Sequence, residues 1–395
     1  MQEVGGEGGE GGEGGGGEGG NSAAGGESEP PGAQGGRAGA ASSDAGAPLP
    51  GDDAGVTSGD VIEPEPMVPA GLVPVVVALG PGGRTAVSCN GGRAFRVNDF
   101  HKTPDDDHSP YAVTGLAGGL GAVIASAGWG APGRVLYSEN AVDWEELSSS
   151  QFTKRSGAVG PSTESTSNAF FDGTAFNVFW GHQVWSSVGG KQWKETAYRP
   201  TNISHIRDVV FYPEAKLLLM RVERDDNGGR TGLMMTSTDL GKTYKIWSPR
   251  TTGCPGFSWG PVAYSHGVIV AGGSAGSLCR SENGGATWTT VPNIANVNAM
   301  FGDRSALYLA RGEELLRSED GVTWVRVLKA NASLSAGVWS EQTGYAISAS
   351  AGGQSKFFRS DDGKAWAPAT FTGTSFGVRF MRTAFVKPSP KCPGL

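Results

Sequence analysis

The sequence predicts an all-β protein made from one repeated four-stranded unit, and three observations carry that prediction. The first is a recurring corner in which a Ser is followed, across a polar turn, by an aromatic. It occurs as SCNGGRAF (88–95), SENAVDW (138–144), SVGGKQW (187–193), STDLGKTY (237–244), SENGGATW (281–288), SEDGVTW (318–324) and SDDGKAW (360–366). The second is spacing: the closing aromatics Phe95, Trp144, Trp193, Tyr244, Trp288, Trp324 and Trp366 recur about every 45 residues, the length of a propeller blade. The third is the chain between corners, which reads as short apolar runs such as GVIVAGG (267–273) and SLCRS (277–281) without helical periodicity. Seven such units predict a seven-bladed β-propeller over 71–395.

Each corner has the chemistry of a tight turn. Asn90, Asn140, Asp239, Asn283, Asp320 and Asp362 are placed to accept hydrogen bonds from backbone N–H groups just downstream. Glycines such as Gly241, Gly284, Gly321 and Gly363 supply the positive φ that such turns need. The closing aromatic then opens the next strand and belongs to the core.

These corners resemble the Asp box, S/T-x-D-x-G-x-T-W, of the sialidase-like or BNR-repeat β-propellers, over about Leu72 to Leu395. The full form is approached only at 237–244 and 281–288. Asp is replaced by Asn at 90, 140 and 283 and by Gly at 189, and three boxes lack the Thr. The resemblance implies that the boxes sit between the third and fourth strands of a blade, on the face opposite the usual ligand site.

Composition separates this unit from what precedes it. Residues 1–66 hold no aromatic and thirteen acids against one base, Arg37, so they cannot bury enough apolar surface to offset chain entropy. A disordered tail over 1–70 is expected. Its net −12, set against −7 for the whole chain, leaves the remainder at about +5. No Lys/Arg cluster interleaves with aromatics, which argues against a nucleic-acid partner. No apolar run approaches the roughly 18 residues of a membrane span. The start MQEVGGEGGE has no apolar signal region. A Gly/Glu/Ser/Ala tether before a compact β domain nevertheless looks like the spacer behind a removed signal, or a lipidated Cys, of bacterial surface proteins. An extracytoplasmic monomer is therefore expected, whether periplasmic, cell-surface or secreted.

Four cysteines without C-x-x-C spacing leave three disulfide connectivities open. Pairing Cys89 with Cys392 would staple the two ends of the domain, and Cys254 with Cys279 would brace one blade. Such bridges would point to an oxidising compartment. The seam has its own signature, because only two strands fit before the first box while GVRFMRTAFV (377–386) follows the last. That final strand is expected to complete the first blade and remove an exposed edge.

Function is then expected on the face away from the boxes, where the longest loops are 99–111, 148–167, 197–205, 223–231 and 248–259. The ligand-binding candidates on that face are His101, Asp106, His108, Trp129, Arg134, His182, Arg199, Asp226, Arg230 and Trp259. The run His101 to His108 offers N/O donors but nothing that fixes a coordination geometry, and the stretch around Asp226 lacks the distal Glu of a calcium loop. No metal and no cofactor is assigned. A sialidase-like site, as the resemblance implies, needs three arginines gripping a carboxylate, a Tyr–Glu nucleophile and an Asp acid/base. Arg84, Arg93 and Arg96 of the first blade are followed by Thr, Ala and Val, not by the Ile-Pro of that family's element. Xyloglucan-cleaving relatives need a long aromatic groove and usually two propellers. The expectation is thus a non-catalytic platform that binds a partner protein or a glycan through its loop face. A glycoside hydrolase of sialidase-like or xyloglucanase-like type is the alternative.

Overall fold

The chain divides into Met1–Ile62 and Glu63–Leu395, and every described residue belongs to the second unit. A computed structural model describes residues 68–100, 111–128, 132–157, 166–198, 203–212, 215–226, 229–257, 260–273 and 276–392. Nearly all of the tail expected over 1–70 therefore lies outside the described residues. So do His101, Asp106, His108, Trp129, Arg199 and Trp259.

Strands dominate. The chain opens with β1 (Val73–Leu79), β2 (Thr85–Ser88) and β3 (Ala94–Val97), followed by β4 to β7 (Val113–Gly118, Val123–Ala127, Arg134–Ser138, Glu145–Glu146). A short β8 (Phe152–Thr153) precedes β9 to β12 (Thr166–Phe171, Phe176–Trp180, Gln183–Ser187, Trp193–Tyr198). Next come β13 to β16 (His205–Tyr212, Leu217–Asp226, Gly229–Ser237, Lys245–Trp247) and β17 to β20 (Val262–Ser265, Val268–Gly272, Leu278–Ser281, Thr289–Val291). The series ends with β21 to β24 (Val297–Gly302, Leu307–Arg311, Glu314–Ser318, Val325–Lys329), β25 to β28 (Ser333–Ser340, Gly344–Ala351, Gln354–Ser360, Ala367–Thr372) and β29 (Phe380–Val386).

Hydrogen bonding joins these strands into antiparallel quartets in chain order, β4–β7, β13–β16, β17–β20 and β21–β24. The quartet β9–β12 gains β8 as a fifth, parallel strand beside β12. The remaining eight strands form one sheet of two quartets, β25–β28 and β29-β1-β2-β3, joined by parallel pairing of β28 with β3 at Thr370–Ala94, Phe371–Phe95 and Thr372–Arg96. β29 pairs with β1 from Val386–Val73 to Phe380–Leu79. Within each quartet, neighbours in sequence are neighbours in space, which is what short turns between short strands allow.

The innermost strand of each quartet packs on the innermost strand of the next, in the order β29, β4, β9, β13, β17, β21, β25 and back to β29. The described residues therefore make a propeller-like ring. Its core lies between facing sheets. Ala117, Ile124 and Tyr137 of one quartet meet Phe176, Trp180 and Trp185 of the next, and that quartet's Phe170, Phe179 and Val184 meet Ile206, Val209 and Leu218 on its other side. Middle strands are buried on both faces for this reason, as β5, β10 and β18 are along their whole length. Close approach at the hub demands small residues. A Cβ on Gly118 would overlap the carbonyl of Thr383, and one on Gly302 would overlap the carbonyl of Tyr264.

Two loops expected from sequence are partly strand. The 148–167 stretch contains a 3-10 turn at Ser149–Gln151 and then β8, because Phe152 inserts among Trp180, Trp185 and Trp193. The 223–231 stretch is the tip of a long hairpin in which β14 and β15 pair out to Asp226–Gly229. The cysteines pair as Cys89–Cys392 and Cys254–Cys279.

The Ser-to-aromatic corners lie between the third and fourth strands of their quartets, as Ser281 to Trp288 does between β19 and β20. There the Ser281 Oγ donates to Asn283 Oδ1 at 3.0 Å and accepts from the Gly285 N–H at 2.9 Å. Asn283 Oδ1 accepts from the Thr287 N–H at 2.9 Å, and the Trp288 indole donates to the Gly285 carbonyl at 2.8 Å. Asp239, Asp320 and Asp362 accept backbone N–H groups in the same way, at 2.7 to 2.9 Å. The Ser, Asn or Asp and Trp of these turns thus bond within the turn itself, so they brace the corner.

Candidate functional site at the channel mouth

The starts of innermost strands β4, β9, β13 and β29 surround a cavity of about 240 Å³. Val113, Thr114, Ser167, Ile206, Arg207, Arg379 and Phe380 line it. Because the corners close the third strands at the far end of the quartets, this mouth lies on the face away from them.

Local backbone geometry explains why polar groups line the opening. The register of β4 against β5 skips Thr114, that of β9 against β10 skips Ser167, and that of β13 against β14 skips Arg207. Each is a β-bulge at the beginning of an innermost strand. The extra residue leaves the ladder and its side chain is re-aimed. Without a bulge, side chains at these positions would alternate between the two packed faces of the sheet. Arg379 stands just before β29, with its N–H donated to the Leu79 carbonyl at 2.9 Å.

Arg207 is held by Glu223 on β14. The guanidinium makes a two-point ion pair, Nε with Oε1 and a terminal nitrogen with Oε2 at 3.0 Å. His205 Nδ1 lies 3.3 Å from the same Oε2, and the Glu223 side chain is 2% exposed. The ion pair fixes the direction of Arg207 and removes one negative charge from the local balance. Thr114 Oγ1 donates to Ser126 Oγ at 3.0 Å and lies 2.8 Å from Thr166 Oγ1, which ties β4 to β9. Farther along β29, Arg382 reaches across the ring to the Val209 carbonyl of β13 at 3.4 Å. Burial pushes the Arg382 and Arg221 guanidinium pKa values down, and Asp208 opposes that shift in both.

Arg134 and His182, the nominated residues whose side chains are described, are not among the seven described residues that line the cavity. Arg134 opens β6 on the same face, donates to Glu146 and stacks its guanidinium 5.1 Å from the Tyr111 ring centroid. His182 is exposed in the turn between β10 and β11. Asp226 closes β14 and Arg230 lies early in β15, so both belong to the hairpin tip. Among the described residues, no group of three or more His, Cys, Asp or Glu is arranged to hold a metal ion. Sequence reasoning nominated neither Arg207 nor Arg379 as a ligand-binding candidate. Pattern alone does not reveal a bulge, and Arg379 arrives from the far end of the chain.

No family model matches the chain, and no curated protein matches it. Solved structures that it resembles include "YCF48 bound to D1 peptide", at TM-score 0.47 and 13% identity over 69% of this chain and 85% of that one. A virginiamycin B lyase from Staphylococcus aureus aligns at TM-score 0.46 and 12% identity, over 70% of this chain and 93% of that one. A GH74 enzyme from Niastella koreensis aligns at TM-score 0.34 and 13% identity, over 78% and 69%. All three are β-propellers.

Proposed function

We propose that this chain is a seven-bladed propeller of the Asp-box type that acts without chemistry of its own, binding a partner protein or a glycan through the face that carries the channel mouth. One observation carries the reading: among the described residues, the cavity on that face is lined by two guanidiniums and two hydroxyls and by no carboxylate. Glycosidic cleavage by an acid/base pair needs two carboxyl groups roughly 5 to 10 Å apart around the scissile bond. The Ser281–Trp288 corner, in contrast, spends its Ser and Asn oxygens on bonds within its own turn. Seven quartets in circular contact support the blade count, with β29 completing the quartet that begins the chain. The two disulfides support work in an extracytoplasmic compartment.

The test is selection of ligands from a peptide library and a glycan array, repeated with an Arg134→Ala/Arg379→Gln double variant and accompanied by assays on a fluorogenic sialoside and on xyloglucan oligomers. The expected outcome is selected ligands that the double variant loses, without turnover. Hydrolysis of either substrate would establish the glycosidase alternative. Ligands that survive the double variant but are lost on changing Val188 and Val322, which are exposed in the opposite corners, would move the binding face.

A further inference from the structure

Beyond β29 the chain leaves the sheet and crosses the face that carries the corners. Residues 387–392 read Lys-Pro-Ser-Pro-Lys-Cys and belong to no strand, and Pro388 and Pro390 have no N–H with which to join one. The segment lies against the 138–144 corner. The Lys387 N–H donates to the Glu139 carbonyl at 2.8 Å, Lys387 Nζ lies 2.5 Å from Glu139 Oε2, and Lys391 Nζ lies 2.6 Å from Asp143 Oδ1. Its far end is tied to the 88–95 corner by the Cys89–Cys392 bridge. Cys89 and Cys392 share one core cluster with Ala141 and Val142, so the segment packs over the junction of the two corners.

The holds on this segment are unequal. Both ion pairs join exposed side chains, with Lys387 and Lys391 more than half in solvent. Such pairs are weakened by water and screened by salt. One backbone hydrogen bond to Glu139 stands beside them, so among the described residues the disulfide carries most of the hold. β29 itself is secured separately, by seven residue pairs with β1. The two disulfides also differ. Cys254 and Cys279 are 0% exposed within the core between two quartets, whereas Cys89 and Cys392 are 7% and 6% exposed. Thiol–disulfide exchange requires a thiolate to reach a bridge sulfur, so access favours the second bridge.

We infer that 387–392 is a redox-released strap: a dithiol opens the Cys89–Cys392 bridge ahead of Cys254–Cys279 and frees the segment from both corners, while β29 keeps the ring closed. A thiolate of the dithiol attacks one bridge sulfur and expels the other cysteine as its thiolate. The second thiol then breaks the mixed disulfide and closes the dithiol into a cyclic disulfide, so two electrons and two protons pass to the two cysteines. Release uncovers Ala141 and Val142, separates Asp143 from Lys391, and leaves a basic arm that carries the Cys392 thiol.

The test titrates dithiothreitol into the whole native chain, blocks free thiols with iodoacetamide and locates the modified cysteines by peptide mass spectrometry. Cys89 and Cys392 should be modified at a dithiothreitol concentration roughly tenfold or more below that for Cys254 and Cys279. A short hydrogen-exchange pulse on the reduced chain then reads the release. The Lys387 and Cys392 amides, bonded to the Glu139 and Ser389 carbonyls, should label roughly tenfold or more faster than in the oxidised chain, while Phe380–Val386 stays unlabelled. A Cys89→Ser/Cys392→Ser chain should show the same pattern without reductant, and an oxidised Lys387→Gln/Lys391→Gln chain should keep its protection. Opening of Cys254–Cys279 first or at the same concentration, or unchanged labelling of 387–392 after the bridge opens, would overturn the inference. So would loss of protection in the oxidised lysine variant, which would make the ion pairs the hold, or labelling that spreads through β29 on reduction, which would make the bridge a staple of the ring.

Discussion

The Ser187 hydroxyl has no hydrogen-bond partner, whereas its counterpart at Ser281 both donates to Asn283 and accepts from Gly285. The difference is one residue, since Gly189 stands where the other corners carry Asn or Asp. Gly189 has no positive φ, and an added Cβ there would meet nothing within 4 Å. Gly189→Asn is therefore expected to stabilise the chain by about 0.5–1.5 kcal/mol, from a restored turn bond and a less flexible unfolded state. Urea midpoints of the two proteins check this, and a lower midpoint in the variant would contradict the turn account. The acidic corners add a pH dependence. Hydrogen bonds from Thr243 hold Asp239 down at about 2, and backbone N–H groups of Thr323 and Val322 do the same to Asp320, also about 2. With the folded value below the unfolded one of about 3.9, their stabilisation is complete above pH ~4 and is lost as pH falls through ~2. Melting temperatures between pH 5 and 2 should fall less steeply in an Asp239→Asn/Asp320→Asn variant, and parallel curves would argue against it.

At the scale of elements, β8 illustrates how a loop can be recruited into a sheet. Phe152 is the one aromatic of 148–165, and its ring lies 5.2 Å from Trp180, 5.5 Å from Trp185 and 5.9 Å from Trp193. Its side chain is 1% exposed, so Phe152→Ala should cost about 3–5 kcal/mol in denaturant unfolding, like any large core deletion. A change under about 1 kcal/mol would show that β8 merely rests on its quartet. The lone aromatic was a readable signal, but the long polar surroundings hid the strand. The bulges in β4, β9 and β13 were hidden for a different reason. Alternation along a strand assigns each residue to one face or the other, and a skipped residue is invisible until its partner strand is in place. Nothing in the sequence consequently marked Thr114, Ser167 and Arg207 as lining one cavity.

For the whole molecule, the ring is closed at the seam between first and last quartets by strand pairing and a disulfide. β29 pairs with β1, β28 pairs with β3, and the Cys89–Cys392 bridge spans a sequence separation of 303, against 25 for Cys254–Cys279. A Cys89→Ala/Cys392→Ala protein should lose about 2–4 kcal/mol, more than a Cys254→Ala/Cys279→Ala protein, because the longer loop regains more freedom on unfolding. Chemical denaturation of the two variants under oxidising conditions decides the order. The sequence by itself determined the all-β class, the position of each corner and the orphan strand at 377–386. Those features are written in local chemistry: turn residues, a closing aromatic and a repeat of about 45 residues. Only the tertiary structure decided which cysteines pair, that β28 and β3 meet, and that Arg207 and Arg379, distant in sequence, share one cavity. Such facts depend on closure of the ring, which brings together residues whose separation along the chain carries no trace of their separation in space.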